Sequence, residues 1–587
     1  MVTSIPTFRL KVSEGIIEGD TSADRLFGYC IEANKGPIME PTFVASNQEA
    51  KSKFGVDFAP HFAQNPTGLV ICRVGFPNAS TAYYEYKMYP EGTTSTTTGE
   101  GNDAVTTTEG TGAPDTNAAA ADMTTVLQIE SVSPGKCNAQ VIIKKATSGH
   151  GYDLNVIIDE SEIVNRIEEE VTQIGSLVCP GGSTEDTTRI NKKFSNLRNL
   201  KHVARKINNV FGDWLVAKMC KNFDDTKGPE WYDVFESDVT ITSETGKLHD
   251  GSNGVMRDAN GDITETSVDD ETNGLYGTST TEEAKQKTLG RAYSEAFEKI
   301  QETDLIGIAI MSEEPYVHSL LVQHIEHVID PEIHQLRFGI LGYPDYKRKE
   351  TAEEAITLED LKIYPQGYDN PWIIYVGQGV IFAENGIKRK VYPHQAVQLY
   401  TGIRSSLGYA EAIFGGEEKK VLKNVIDTLP LVTDGTEITR DVREELNETG
   451  VCTFKKEYGE VTFLEGVTSV QEDDVLSYEN MMSITANVVR RLIKICKPYQ
   501  GQLLTEDLKS TLQTALSSEL QDITNNEGTL MALEDFNIPP YDVQVYSAAK
   551  TRYDETHKLI RENKIIVQCR IVPVGALRDI DLGVIVI

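Results

Sequence analysis

Apolar residues along this 587-residue chain recur in two spacings, and each predicts a kind of element. Alternation with period two marks a half-buried strand, and a spacing of three to four marks one face of a helix. Thr7-Phe8-Arg9-Leu10-Lys11-Val12 alternates, which predicts a strand carrying Phe8, Leu10 and Val12 on one side. Residues 27–33 and 68–74 are apolar runs that read as core strands, the first stopped by Gly36-Pro37. Residues 47–54 read as a short helix ended by Gly55. Strands return over 126–158, interrupted by Ser133-Pro134-Gly135-Lys136, and 189–219 reads as helical, basic in its first half.

The clearest helix is 280–302, where Thr280 and Glu283 form a capping box and Leu289, Ala292, Ala296 and Ile300 make the stripe. A β–α–β unit follows: strand 305–311, helix 315–328, strand 336–341. Such units build parallel sheets. Another helix starts at Thr357-Leu358-Glu359-Asp360. Residues 372–383 read as one strand, turned at Asn385-Gly386 into 388–392, and 394–407 as the next helix. From Asp441 a new domain begins, with a hairpin over 452–470 and helices over 481–497 and 505–522. Three β-like runs close the chain, at 543–546, 565–572 and 580–587. The last carries Ile580, Leu582, Val584 and Val586 at alternate positions. An apolar strand edge invites pairing, and termini fray unless tied down. This run therefore either finishes its own sheet or adds to the sheet of another chain, and the residues leave both open.

Length predicts three or four domains. The net charge of −33 argues against nucleic acid as a partner. Residues 1–15 lack the apolar core and cleavage pattern of a signal peptide, and no run reaches the length of a membrane span. Eight scattered cysteines with no CxxC spacing predict free thiols in a reducing compartment, which fits assembly in a cytoplasm. Residues 91–125 hold twelve Thr, six acids and no Lys or Arg, and read as an exposed loop. Residues 231–280 form a second acidic insert, with eleven acids against Lys247 and Arg257. Together the inserts carry −15 of the charge. Asp258-Ala259-Asn260-Gly261-Asp262 does not make an EF-hand loop, because Ile263 and Asp269 occupy the sixth and twelfth positions. Asn260-Gly261 reads as a hairpin turn.

Enzyme motifs fail in turn. Gly246-Lys247 lacks the rest of a phosphate loop, Gly377-Gln378-Gly379 opens no helix, and no GxSxG elbow exists. His318, His324, His327 and His334 are the best metal candidates, with His324 and His327 one turn apart. Without HExxH spacing, and with His324 on an apolar stripe, they read as structural. No catalytic, cofactor or metal residue is assigned. An α/β enzyme built on 305–341 is the alternative of another class, disfavoured for phosphate by Ser312-Glu313-Glu314-Pro315.

The order of motifs resembles the contractile tail sheath proteins of myophages, a family that extends to phage-like bacteriocins and contractile injection systems. Ala33-Asn34-Lys35-Gly36-Pro37, Lys53-Phe54-Gly55 and Val70-Ile71-Cys72-Arg73-Val74 match its opening segments. Ser133-Pro134-Gly135-Lys136 matches its middle-domain turn, with Cys137-Asn138 departing from the usual Trp-Gly-Asn. The 305–344 unit, Asp369-Asn370-Pro371-Trp372, Thr401-Gly402-Ile403, Leu446-Asn447 with Gly450-Val451, Glu465-Gly466-Val467-Thr468 and Tyr499-Gln500-Gly501 follow in the family's order. Each motif is short; the shared order carries the resemblance.

The resemblance implies an α/β and α+β multidomain fold. It has a sheath-type core with the β–α–β unit, an inserted β-rich outer domain, and an α+β C-terminal domain with extended terminal strand arms. The expected divisions are an N-terminal arm 1–26, core 27–90, Thr-rich acidic loop 91–125, outer domain 126–280 and second core part 281–440. A tube-facing domain 441–575 and a C-terminal arm 576–587 complete them. It further implies a non-enzymatic subunit of stacked six-fold rings around an inner tube, contracting to drive the tube through a host envelope for genome delivery, with the sheath of a bacteriocin-like particle or contractile injection system as the alternative. Arms exchanged between neighbours would tether the rings. Implied partners are the chain itself, the inner tail tube protein, and baseplate and tail terminator proteins, with no nucleic acid, no membrane insertion and no cofactor. The implied location is a virion tail assembled in the host cytoplasm. Residues 481–587 carry twelve Lys or Arg against thirteen Asp or Glu, nearly neutral in an acidic chain. Within them Arg490, Lys494 and Lys497 share a helical face, and Lys550, Arg552, Lys558 and Arg561 form a second set. Charge runs are usually solvated. The resemblance implies that one set docks on the inner tube.

Overall fold

The computed structural model describes residues 7–12, 25–33, 36–75, 81–98, 105–119, 121–134, 139–147, 151–159, 168–169, 189–212, 214–224, 226–242, 245, 247–248, 252–257, 263–268, 282–329, 335–384, 386–415, 417–471, 475–499, 502–503, 505–533, 537–547, 550–553, 559–562 and 565–574. Apolar runs without alternation become the strands of one seven-stranded sheet. Its order is Val451–Cys452, Ile373–Val376, Phe338–Gly342, Gly307–Ala309, Phe27–Ile31, Leu69–Arg73, Thr42–Val44. All neighbours are parallel except Thr42–Val44. Parallel strands are covered on both faces, which is why these runs have no polar side.

Glycine sets the approach of the covering helices. A Cβ on Gly28 would strike Ile300 of helix Glu282–Gln301, and one on Gly339 would strike Ile325 of helix Pro315–Ile329. On the other face, Gly342 lies against the backbone of Pro393, where helix Pro393–Ser406 begins. The Tyr29 hydroxyl reaches the Thr401 hydroxyl of that helix at 2.5 Å. Local signals place the shorter elements. Ser46 accepts from the Glu49 amide (3.2 Å) to start Asn47–Phe54, and Gly55 at φ 73° ends it.

A second core belongs to an inserted unit. It packs Thr81–Met88, Thr124–Pro134 and Leu215–Met219 against Ala139–Lys145, Tyr152–Asp159, Arg189–Leu197 and helix Leu200–Phe211. The Tyr86 hydroxyl donates to the Val141 carbonyl (2.6 Å) and accepts from the Ile143 amide (3.1 Å), joining the two sheets.

Several expectations are corrected here. Ala82 and Tyr86 are buried in the second core, so 81–88 goes with the insert rather than with the first core. The Thr-rich stretch is not a loop: Glu91–Thr98 pairs with Val105–Pro114 as a ribbon, because Thr is β-branched and favours extended backbone. Residues 189–197 are a strand and only 200–211 are helical. The second insert is not all surface, since Trp231, Tyr232, Val234 and Leu248 are buried. Strands Ser252–Arg257 and Ile263–Val268 pair around 258–262, the expected hairpin, whose turn lies outside the described residues. Residues 372–383 are two strands in different sheets, Ile373–Val376 and Val380–Glu384. Between them the Gln378 side chain donates to the Leu429 carbonyl (2.8 Å) and accepts from the Phe454 amide (2.9 Å).

The first core runs on from the sheet to Ile571, so no break in packing occurs at 441. Arg404, on Pro393–Ser406, and Glu479, on helix Glu479–Cys496, form an ion pair at 3.1 Å with side chains 2% and 1% exposed. The Tyr400 hydroxyl donates to Glu479 (3.0 Å), and Arg404 donates to the Glu411 carbonyl (2.7 Å). Removing one member of such a pair strands the other charge out of water. Glu479→Ala is expected to cost about 3–5 kcal/mol of unfolding free energy in urea titrations of the isolated chain. A loss under about 1 kcal/mol would show that water reaches Arg404.

Candidate assembly surfaces

The chain's first and last described strands meet. Thr7–Val12 runs antiparallel to Ile565–Ile571, with Phe8 opposite Cys569, Leu10 opposite Val567 and Val12 opposite Ile565. Tyr541–Ser547 pairs with the other side of Ile565–Ile571, from Tyr541 opposite Ile571 to Ser547 opposite Ile565. The sheet buries Val543, Val567, Cys569 and Ile571. Helix Glu506–Asp522 covers it with Leu512, Leu516 and Leu520, and Gln513 donates to the Val543 carbonyl at 3.2 Å. The expected N-terminal strand is therefore present, and it sits on the chain's own sheet. The expected terminal strand, with Ile580, Leu582, Val584 and Val586, lies outside the described residues.

The two basic sets differ. Arg490 is half-buried, and its guanidinium donates to the carbonyls of Leu305 (3.1 Å) and Leu336 (2.7 Å). Arg337 beside it donates to the Gln301 carbonyl (2.9 Å) at the end of helix Glu282–Gln301. Burial and the Arg490 charge lower the Arg337 pKa to about 10. Arg490 thus ties the C-terminal helix to the sheet, whereas Lys494 and Lys497 on the same helix face are exposed. Lys550 and Arg552 lie on strand Lys550–Tyr553 and Arg561 on its partner Leu559–Glu562, with Lys550 opposite Glu562 and Arg552 opposite Ile560. Lys558 lies outside the described residues. The sequence reading passed over Arg491, which ion-pairs Glu519 (2.6 Å) and Glu527 (2.5 Å) and clamps the two C-terminal helices together. The three groups are 28 and 36 residues apart in sequence, so no local spacing announces them.

The histidines behave as packed side chains. His318 bonds the Ser312 carbonyl (2.9 Å), and burial lowers its pKa to about 4. His394 stacks on Tyr392 at 7° and lies 3.4 Å from Glu313; burial and Lys347 lower it to about 3. His61 is lowered to about 3 and His324 to about 4, again by burial first. His324 rests against the Phe297 ring at 5.4 Å. His334 lies outside the described residues. Among the described residues no three His, Cys, Asp or Glu side chains gather to hold a metal ion, and no helix is long and apolar enough to cross a membrane. The six described cysteines are free thiols, and burial pushes those of Cys452, Cys496 and Cys569 up to about 12.

No family model and no curated protein matches this chain. Solved structures similar to it include sheath proteins. A sheath tail protein from Desulfitobacterium hafniense is 10% identical, with 94% of this chain and 99% of that one covered and a TM-score of 0.49. A sheath tail protein from Listeria innocua is 10% identical, with 92% and 94% covered and a TM-score of 0.45. The contracted sheath complex of an extracellular contractile injection system is 14% identical over 59% of this chain and 98% of that one, with a TM-score of 0.34.

Two outcomes follow from these placements. Arg490→Glu is expected to lower the chain's stability by about 2–3 kcal/mol, through two lost charge-assisted bonds, while Lys494→Glu with Lys497→Glu stays within about 0.5 kcal/mol. Equal effects in denaturant titrations would contradict the division. The histidines also set a pH dependence. Unfolded imidazoles take up protons through pH 6.5, whereas the folded ones resist until about pH 3–4. Their stabilisation is therefore full above pH 6.5 and is lost as pH falls toward 4, by up to about 1.4 kcal/mol per pH unit for each residue. Glu32, raised to about 7 by burial, acts oppositely: its contribution is full below its unfolded value of 4.5 and is lost as pH rises through 7. Melting temperature is expected to fall between pH 6.5 and 4, and His318→Gln to flatten that slope. An unchanged slope would mean that His318 already titrates normally.

Proposed function

We propose that this chain is the structural subunit of a contractile tail sheath. The observation that carries the reading is the arm sheet, built from opposite ends of the chain at the edge of a rigid core, together with the sheath-like order of sequence motifs. A strand that completes a sheet from a chain end can be supplied equally by a neighbouring copy. Twelve residues, 13–24, separate Val12 from Arg25, and so short a stretch reaches at most about 45 Å when extended.

In this reading copies stack as six-fold rings around an inner tube, each arm seated on a neighbour's Ile565–Ile571 edge. The 580–587 strand is the second exchanged arm. The exposed Lys494 and Lys497, or the Lys550, Arg552, Lys558 and Arg561 set, face an acidic tube surface through contacts weak enough to break on contraction. Arg490 supports that helix from within. The subunit joins a baseplate at one end of the tail and a terminator at the other, and contraction drives the tube through the host envelope. The role is mechanical, with no catalytic step.

Deleting 580–587, or separately 1–12, is expected to leave soluble subunits that build no striated cylinders in negative stain. Normal cylinders from both truncated chains would overturn arm exchange. Wild-type chains that never form cylinders would overturn the sheath reading itself.

A further inference from the structure

Two helices of this chain carry charge at the end their own dipole disfavours. A helix favours acids at its amino end and bases at its carboxyl end. Helix Leu200–Phe211 has no acid in its first turn; Lys201 stands there, with Arg198 just before the Asn199 cap. Helix Arg440–Glu448 has no base in its last turn and ends on Glu445 and Glu448. Lys362 pairs with Glu445, whereas no described ion pair includes Glu448. Local helix electrostatics accounts for neither placement.

The first helix belongs to a basic face. Residues 187–211 hold seven Lys or Arg and no Asp or Glu, in a chain of net charge −33. The helix buries Leu200, Val203, Ala204, Ile207 and Phe211, which turns Lys201 and Arg205 outward one turn apart. Lys206 lies 4.6 Å over the Phe194 ring, which sets strand Arg189–Leu197 beside the helix. Lysines on an edge strand are a common guard against stray pairing. That accounts for the exposed Lys192 and Lys193 but not for Arg198, Lys201 and Arg205, exposed off the strand. Lys201 also lies 5.2 Å over the Phe223 ring.

The second helix belongs to an acidic face of the first core. Residues 350–360 and 433–448 hold eleven Asp or Glu against Arg440 and Arg443. The two segments are tied together: the Ile356 amide donates to the Thr433 hydroxyl (2.8 Å), and the Thr433 amide to the Ile356 carbonyl (2.9 Å). Arg440 pairs with Glu444 (2.6 Å), Arg443 donates to the Phe454 carbonyl (3.0 Å), and Lys349 pairs with Asp360 (2.8 Å). Glu353, Glu359, Asp434, Glu437, Asp441 and Glu448 are exposed, and no described ion pair includes them. First-turn placement accounts for Glu359 and Asp441 but not for the other four.

We propose that the basic face of helix 200–211 docks on the acidic face of 350–360 and 433–448 in a second copy of this chain. Copies this acidic repel one another when stacked unless opposite charges meet locally. Each face supplies the charge that the other helix end lacks. The two faces are different surfaces, so the contact is heterologous and propagates head to tail. The docking deepens the sheath reading and rests on it in needing copies that stack. A contact of this kind governs encounter and register more than strength.

Two charge-reversed chains test it: R198E/K201E/R205E, whose first face becomes acidic, and E353K/E437K/E448K, whose second face becomes basic. K201E and E448K put each charge at its favoured helix end, so melting temperatures are expected to stay at wild-type values or rise. Each variant alone presents like charges at the contact. At low salt the assembled fraction in sedimentation is expected to fall at least about ten-fold for each, and to recover in an equimolar mixture, where every face again meets its opposite. Should either triple variant fail to fold, K201E and E448K alone carry the same comparison. Wild-type assembly by either variant alone, or failure of the folded variants to recover on mixing, would overturn the docking. Absence of cylinders from wild type would overturn the sheath reading instead. The docking is then decided by whether the mixed variants associate in sedimentation where neither does alone.

Discussion

The Arg404–Glu479 pair decides how the rest of the chain is held. Two charges taken out of water cost several kcal/mol each, and their attraction repays this only when the remaining donors and acceptors are satisfied. Here Tyr400 and the Glu411 carbonyl complete the set. Helix Pro393–Ser406 lies on the parallel sheet, and helix Glu479–Cys496 belongs to the C-terminal part. The pair therefore fixes one to the other in a single geometry. Val451–Cys452, a seventh strand supplied from beyond residue 441, and Arg490 on the Leu305 and Leu336 carbonyls add to the same junction. The terminal sheet is packed into the same core as a result.

Elements whose cause is local were legible in the sequence. Asn47–Phe54 has its cap, its length and its Gly55 stop within ten residues, and the strands of the parallel sheet announce themselves as unbroken apolar runs. Elements decided by distant contacts were not. Residues 372–383 look like one strand because every apolar position fits. The break at Gly377-Gln378-Gly379 comes from partners elsewhere: a Cβ on Gly377 would strike Val451, and one on Gly379 would strike the Val391 carbonyl. Acidity misled at 91–125, where composition argued for a loop and β-branched Thr backbone won.

The basic residues teach the same lesson about site prediction. Arg490, Lys494 and Lys497 do share a helix face, as their spacing says. Spacing along one helix cannot tell which end of that face meets a neighbour. Arg490 meets two backbone carbonyls and Lys494 meets water, a difference written in Leu305 and Leu336, more than 150 residues away. Arg491, one residue on, points a third way and holds Glu519 and Glu527.

Seating Thr7–Val12 on its own sheet has a consequence for assembly. The register with Ile565–Ile571 uses the same backbone donors and acceptors whichever copy supplies the strand, so exchange between copies costs no ladder bonds. What changes is entropy. A tethered arm meets its own slot at an effective concentration of order millimolar, so an isolated chain closes on itself. In the proposed stack, docking of neighbouring cores would place a second arm at the same slot at a comparable concentration, and exchange would then cost little free energy. On that proposal, surfaces that bring cores together, rather than the strands themselves, would decide when the arms exchange.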